Sequence, residues 1–340
     1  MWKGTKTWKT FMRCSRIHKK TILLVGVFIL ACSVPVFCVS PDKLLELARQ
    51  AEETSVAHYT RLSIWVTPFQ TETVIDEIWR DTAGNWCLKR YSNSWDNGLI
   101  AVNDGFNLTI SAPCMSTALQ VPANTSVFMG TPRSLITPAL FTEQAKIPFI
   151  VQGEDTVLGR STIVLVWESK EREIRCWIDK TTKLPLREEL LDRAKRPVLV
   201  SLRQDLPAGE MPTFTSTINV QNITPAQWRY RAIVNWLAEN VHYNLPLAAS
   251  LPAGFEVEWI DLRAEKEDQV VVLLVNSGNQ LASIWISAAS GPKPASRSFL
   301  AQEHTVIARR VADVDITIVA SSERQALRIL RTMIVTSHIQ

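Results

Sequence analysis

The stretch CWIDKTTKLPLREELLD, residues 176–192, joins two short apolar runs through a charged four-residue turn. Extended over 173–179, the chain puts Ile174, Cys176 and Ile178 on one side and Arg175, Trp177 and Asp179 on the other, because a strand alternates its faces. Lys180-Thr181-Thr182-Lys183 supplies the reversal, and residues 184–190 return as the second strand of a hairpin. Pro185 has no amide hydrogen to give a ladder, so its strand is an edge or carries a bulge at that point. No catalytic residue type sits near the turn.

The same period-two pattern extends on both sides. Upstream, 151–158 and 161–167 flank Gly159-Arg160, and between Tyr59 and Gln120 short alternating runs are broken at Ala83-Gly84-Asn85, Asp96-Asn97-Gly98 and Asn103-Asp104-Gly105. Short strands with such turn chemistry describe an antiparallel meander. Ahead of it, Leu44, Leu47, Ala48 and Ala51 recur at helical spacing behind Pro41, which predicts a first helix. Residues 121–148, rich in proline, read as loop or short helix crossing an opening of the sheet.

Thr224 and Pro225 form a helix start, predicting a linker helix with Trp236 and Leu237 as contacts. Near the C-terminus Ala326, Leu327, Leu330 and Ile334 trace an apolar stripe, with Arg324, Arg328 and Arg331 off it.

The N-terminus is of another kind. Seven basic residues, Lys3 to Lys20, precede the first acid, and the rest of the 340-residue chain sets 30 basic against 33 acidic residues. A body with that balance has no footprint for nucleic acid. Residues 21–40, TILLVGVFILACSVPVFCVS, are uncharged. A basic leader and an apolar core mark export, with the leader in the cytoplasm and the body outside. Three readings stay open: an uncleaved anchor, a lipoprotein, or a cleaved signal. Ile29-Leu30-Ala31-Cys32 resembles a lipobox in which Cys32 is lipidated, while about 19 uncharged residues also suffice to span a bilayer.

Sites of chemistry are missing from the pattern. The five histidines have no metal-ligand spacing, there is no GxSxG, glycine-rich phosphate loop or HExxH, and Cys87, Cys114 and Cys176 read as buried small hydrophobes. Glu188-Glu189 and Glu171/Glu173 are expected to be surface charge, since strand neighbours face opposite ways, and Asp104 reads as a turn former. No enzyme, metal or cofactor is expected.

In order along the chain, Asn103-Asp104-Gly105-Phe106, Gly153 with Gly159-Arg160, and Trp177-Ile178-Asp179-Lys180 with Leu184-Pro185-Leu186-Arg187 resemble the LolA/LolB-like lipoprotein carriers and the N-terminal domain of the RseB/MucB regulators. Leu251-Pro252-Ala253-Gly254-Phe255 and the strands near 271–276, 281–286 and 315–320 resemble the RseB-type C-terminal domain, which the single-domain carriers lack. The resemblance implies an α+β fold: a strongly curved antiparallel sheet, a half-open β-barrel packed on helices, plus a small C-terminal α+β domain. The divisions are a leader over 1–20, a signal or anchor over 21–40, a half-barrel domain over 41–222, a linker helix over 223–250 and a small domain over 251–340. It further implies a membrane-tethered extracytoplasmic binding and regulatory protein whose partners are a lipid acyl chain or lipoprotein and the outer segment of a transmembrane anti-sigma factor. The alternative is a carrier of lipidated cargo. Trp65, Trp79, Trp86, Trp95, Trp167 and Trp177 are the candidate lining of an apolar cavity, weighed against ordinary core packing.

Overall fold

The computed structural model describes residues 40–66, 71–125, 149–212, 220–221, 223–265, 268–277, 280–291, 297–301 and 304–334. The basic leader, the apolar segment with Cys32 and most of the expected crossing loop lie outside the described residues.

Helix α1 (Pro41–Thr54) is capped by Ser40, whose Oγ accepts from the Lys43 amide at 3.2 Å. Leu44 and Ala48, one turn apart, are buried against the sheet. The meander that follows comprises β1 (Ala57–Val66), β2 (Thr71–Arg80), β3 (Trp86–Tyr91), β4 (Ile100–Asn103), β5 (Asn107–Ser111) and β6 (Ala118–Pro122). A second run holds β7 (Ile150–Val157), β8 (Arg160–Glu168), β9 (Arg172–Asp179), β10 (Pro185–Asp192), β11 (Pro197–Asp205) and the short β12 (Val220–Gln221).

These twelve strands make one curved, open sheet in the order β12-β6-β5-β4-β3-β2-β1-β11-β10-β9-β8-β7. All pairings are antiparallel except β12 on β6. The opening hairpin is β9–β10, interior to the sheet. Its register slips between Pro185 and Arg187, so the bulge, rather than an edge, accommodates the proline. Its turn is fixed by Asp179, which accepts from the Thr181 and Thr182 amides at 2.7 Å and from Arg160 Nε at 2.7 Å.

Helix α2 (Pro225–Asn240) starts on a Thr224 cap and buries Trp228, Tyr230, Ile233 and Leu237. A six-stranded antiparallel sheet follows: β13 (Phe255–Glu265), β14 (Asp268–Ser277), β15 (Gln280–Ala288), β16 (Arg297–Ala301), β17 (His304–Val311) and β18 (Val314–Ala320), in the order β13-β14-β15-β18-β17-β16. Helix α3 (Glu323–Met333) packs on β17 and β18.

One apolar core joins the two sheets. Trp86, Leu88, Leu108 and Leu119 of the first meet α2, and α2 meets Val271, Ile284 and Ile318 of the second. Polar contacts cross the same seam: Trp228 Nε1 donates to Thr117 O at 3.1 Å, and Asn235 Nδ2 to Cys114 O at 3.0 Å. A second core lies beneath α1, where Leu44 and Ala48 meet Leu165, Trp167, Ile174 and Cys176.

Candidate functional site

The strand register assigns every side chain of the large sheet to a face. The helix-bearing, inner face carries Leu165 and Trp167 of β8, Ile174 and Cys176 of β9, Glu188 and Leu190 of β10, and Leu199, Ser201 and Arg203 of β11. It continues through Tyr59, Arg61 and Trp65 of β1, Val74, Asp76 and Ile78 of β2, and Leu88 and Arg90 of β3. Both ends of this face are apolar and covered, by α1 at one end and α2 at the other. The middle is charged.

At the centre Asp76, 2% exposed, accepts from Arg90 Nε at 2.7 Å and Nη2 at 3.1 Å and from Arg61 Nη2 at 3.2 Å. Burial pushes its carboxyl up, and the two guanidiniums more than offset that, holding it below the usual range. Arg90 also reaches Asp96 at 3.1 Å. The belt continues toward the second sheet: Arg229 of α2 donates to Glu258 O at 2.9 Å, and its guanidinium stands 5.9 Å from the Trp95 ring. In the other direction Arg203 lies 3.7 Å over the Tyr59 ring and bonds Asp205 at 2.8 Å, and Asp205 takes Arg160 Nη1 at 2.6 Å.

Glu52, Tyr59, Arg61, Glu188, Ser201 and Arg203 line a recess in this belt of about 260 Å3, open mouth included. The enclosed part is only about 10 Å3, room for about one water molecule and far below the roughly 300–1,000 Å3 of ordinary ligand pockets. Burial, then the charge of Glu188, pushes the Glu52 carboxyl up to about 7. An alkyl chain laid across the belt would meet charged groups already paired with one another and gain little apolar contact there. Apolar contact surface is left at the rim, where Trp65, 37% exposed, stands beside Leu199.

The six tryptophans do not share a face. Trp65, Trp86 and Trp167 point inward, Trp86 into the main core and Trp167 under α1. Trp95, in the turn after β3, joins the main core. Trp79 and Trp177 point outward. Trp79 stacks on His58 at 4.9 Å, and Trp177 donates to Asp155 at 2.9 Å with Arg187 over its ring. Residue type cannot tell the two faces of a strand apart; register does.

The carboxylates expected at the surface are also placed differently. Glu173, Glu188 and Glu189 are 4%, 5% and 8% exposed, and only Glu171 of that group is exposed. Glu173 is held by Arg175 and Lys195, and Glu189 by Arg187. The missed signal was a charge at an apolar parity: Asp76 between Val74 and Ile78, Glu188 between Leu186 and Leu190. Asp104 is the turn former expected, accepting from the Phe106 and Asn107 amides. Among the described residues no histidine, cysteine and carboxylate group has metal-binding geometry, and Cys87, Cys114 and Cys176 are free thiols.

No protein-family model and no curated protein matches the chain. Among solved structures it is similar to the MucA/MucB complex of Pseudomonas aeruginosa, at 15% identity over 88% of this chain and 99% of that one, TM-score 0.31. It is similar to a LolA superfamily protein from Nitrosomonas europaea at 13% identity, over 51% and 96% of the two chains, TM-score 0.26. It is also similar to a putative outer membrane lipoprotein-sorting protein domain from Vibrio parahaemolyticus at 9% identity, over 85% and 98%, TM-score 0.25. At these scores the likenesses carry no functional weight, which rests instead on the residues of the inner face.

Proposed function

We propose that this chain is an extracytoplasmic binding and regulatory protein, tethered to a membrane through residues 21–39, whose curved sheet receives a lipid or the lipidated segment of a lipoprotein on its inner face. The observation that carries this reading is the division of that face. Trp65, 37% exposed at the rim, offers apolar contact, and the charged belt on the same face offers the partly exposed guanidiniums of Arg61 and Arg90 to a polar head or a peptide. An amphiphile meets both halves; a bare alkyl chain meets only the first.

The regulatory half rests on the resemblance of residues 251–320 to the RseB-type C-terminal domain, with the outer segment of a transmembrane anti-sigma factor as the protein partner. The core running through α2 supports coupling between a ligand on the first sheet and a partner on the second, because movement of one sheet disturbs packing shared with the other. The belt weighs against the carrier alternative, since a carrier of lipidated cargo has to bury whole acyl chains.

Photo-crosslinking tests the reading. With p-benzoylphenylalanine in place of Trp65 in the full chain, irradiation in cells is expected to yield a lipid or lipopeptide adduct. The same group at Phe106, 83% exposed at the tip of the β4–β5 hairpin, serves as the control. Equal labelling from both positions rules out an inner-face site.

A further inference from the structure

The outer face of the first sheet carries a histidine with an acceptor at each ring nitrogen. His58 of β1 lies opposite Trp79 of β2 and stacks on its indole, with ring centroids 4.9 Å apart and planes 14° from parallel. Its Nδ1 stands 2.7 Å from Pro207 O and its Nε2 3.0 Å from Glu77 Oε1. Tyr91 donates to the other oxygen of the same carboxyl group at 3.1 Å. The chain leaving β11 runs back over this ring: the Leu206 amide donates to His58 O at 2.8 Å, and a Cβ on Gly209 would stand 3.0 Å from Nδ1 and 3.6 Å from Trp79 Nε1. The missing side chain of Gly209 is what permits so close an approach. Residues 206–209 thus form a strap across the histidine, on the path from β11 to β12 and α2.

A carbonyl oxygen and an ionised carboxylate only accept, whereas a neutral imidazole has a single N–H to give. Whichever nitrogen keeps that hydrogen, the other turns a lone pair on an acceptor at hydrogen-bond distance. The imidazolium donates on both sides, and its charge also favours the indole face beneath it and the carboxylate beside it. The remaining titratable and charged groups around the ring are disposed elsewhere. On β3, Cys87 is buried opposite Trp79, and Lys89, opposite Glu77, turns to the Tyr91 ring at 5.1 Å. Asp81, just past β2, accepts from the Ala83 and Asn85 amides of its own turn. Asp205 of β11 is held by Arg203 and Arg160, and Glu210, beyond the strap, is exposed.

We propose that His58 is a proton-operated latch: as the imidazolium it fastens residues 206–209 to the outer face through Pro207 and Glu77, and on losing its proton it loosens this part of the connection between the two sheets. The closed strap holds the extra proton, so acid closes it and its stability is lost as pH rises. The latch lies on the face away from the charged belt and works whatever the inner face binds.

Hydrogen exchange at the Leu206 amide tests it in the full chain in mild detergent, read from overlapping peptides and corrected for the intrinsic rate at each pH. Between about pH 5.5 and about pH 8, on either side of the ordinary imidazole range, loss of a charge-assisted hydrogen bond should speed the corrected exchange about tenfold. Glu77→Gln puts an amide where the carboxylate was, which can donate to the neutral Nε2, and should hold exchange slow at both. His58→Phe keeps an aromatic ring on Trp79 without either hydrogen bond, and should leave exchange fast at both. Leu273, fully buried in the second sheet, reports on the rest of the molecule and should not change. Equal wild-type rates at Leu206, a tenfold difference surviving in either variant, or an equal change at Leu273 overturns the latch. If Glu77→Gln fails to fold, His58→Phe gives the same decision.

Discussion

Replacing Asp76 probes the belt at its most buried point. Asp76→Ala removes a carboxylate that both Arg61 and Arg90 contact, at 3.2 Å and 2.7 Å. Arg90 keeps Asp96 at 3.1 Å, so the burden falls on two guanidiniums that have lost their central counter-charge inside the fold. Breaking a buried pair by deleting one partner costs about 3–5 kcal/mol, and Asp76→Asn, which retains an acceptor oxygen, should fall at the low end. Because the folded carboxyl sits below its usual range, its contribution is present above that range and disappears as pH drops through the folded value. The gap between wild type and Asp76→Asn in urea melts followed by tryptophan fluorescence should therefore be full at pH 7 and close progressively below about pH 4. A gap of less than about 1 kcal/mol at pH 7, or one that does not vary with acid, refutes the assignment of the belt as a coupled, buried network.

Trp228→Ala should cost about 3–5 kcal/mol, and both sheets should melt in one lowered transition, since the indole packs in their common core; two separated transitions in calorimetry would contradict that coupling. Gly98→Ala should destabilise by about 1 kcal/mol or more, because φ is +74° there and the new Cβ would stand 2.9 Å from Pro113 Cγ; an unchanged urea midpoint would show that the turn relaxes freely. Cys176, fully buried with its thiol pushed up by that burial, should resist a thiol reagent in the native protein and react only on unfolding, and rapid native labelling would show that the core beneath α1 is open. Cys32→Ser should abolish lipid incorporation if the lipobox is used, and membrane retention without any labelling would establish the uncleaved anchor.

Much of the large sheet was legible because its cues are local, but β11, the strand that joins its two halves, was not read from the sequence. Alternation in the 173–179 strand sorts Ile174, Cys176 and Ile178 beneath α1 and Trp177 to the opposite face, and Pro185 narrows its strand to an edge or a bulge, of which the register shows the bulge. The start of α2 was legible for the same reason, as cap and proline stand side by side, and Pro41 with the apolar stripe behind it marked that of α1. Strands β16 and β17 were not, since the sequence from Arg297 to Val311 lacks a clean apolar alternation and they form by pairing with β18 and with each other. The belt was missed because Glu188 was judged against its neighbour Glu189. Its counterparts Arg61, Arg203 and Glu52 are brought to it from strands and a helix far away in the chain. The aromatic residues misled in a related way: a tryptophan supplies apolar area wherever it stands, and only the register shows that Trp79 and Trp177 face away from the helices.

Native mass spectrometry of the full chain released from its own membranes into mild detergent addresses the binding role most directly. The account predicts a discrete adduct of lipid or lipopeptide mass on the wild type, and its loss when Trp65 is replaced by aspartate at the apolar rim. Protein recovered bare in repeated preparations, or an adduct indifferent to that replacement, would contradict it.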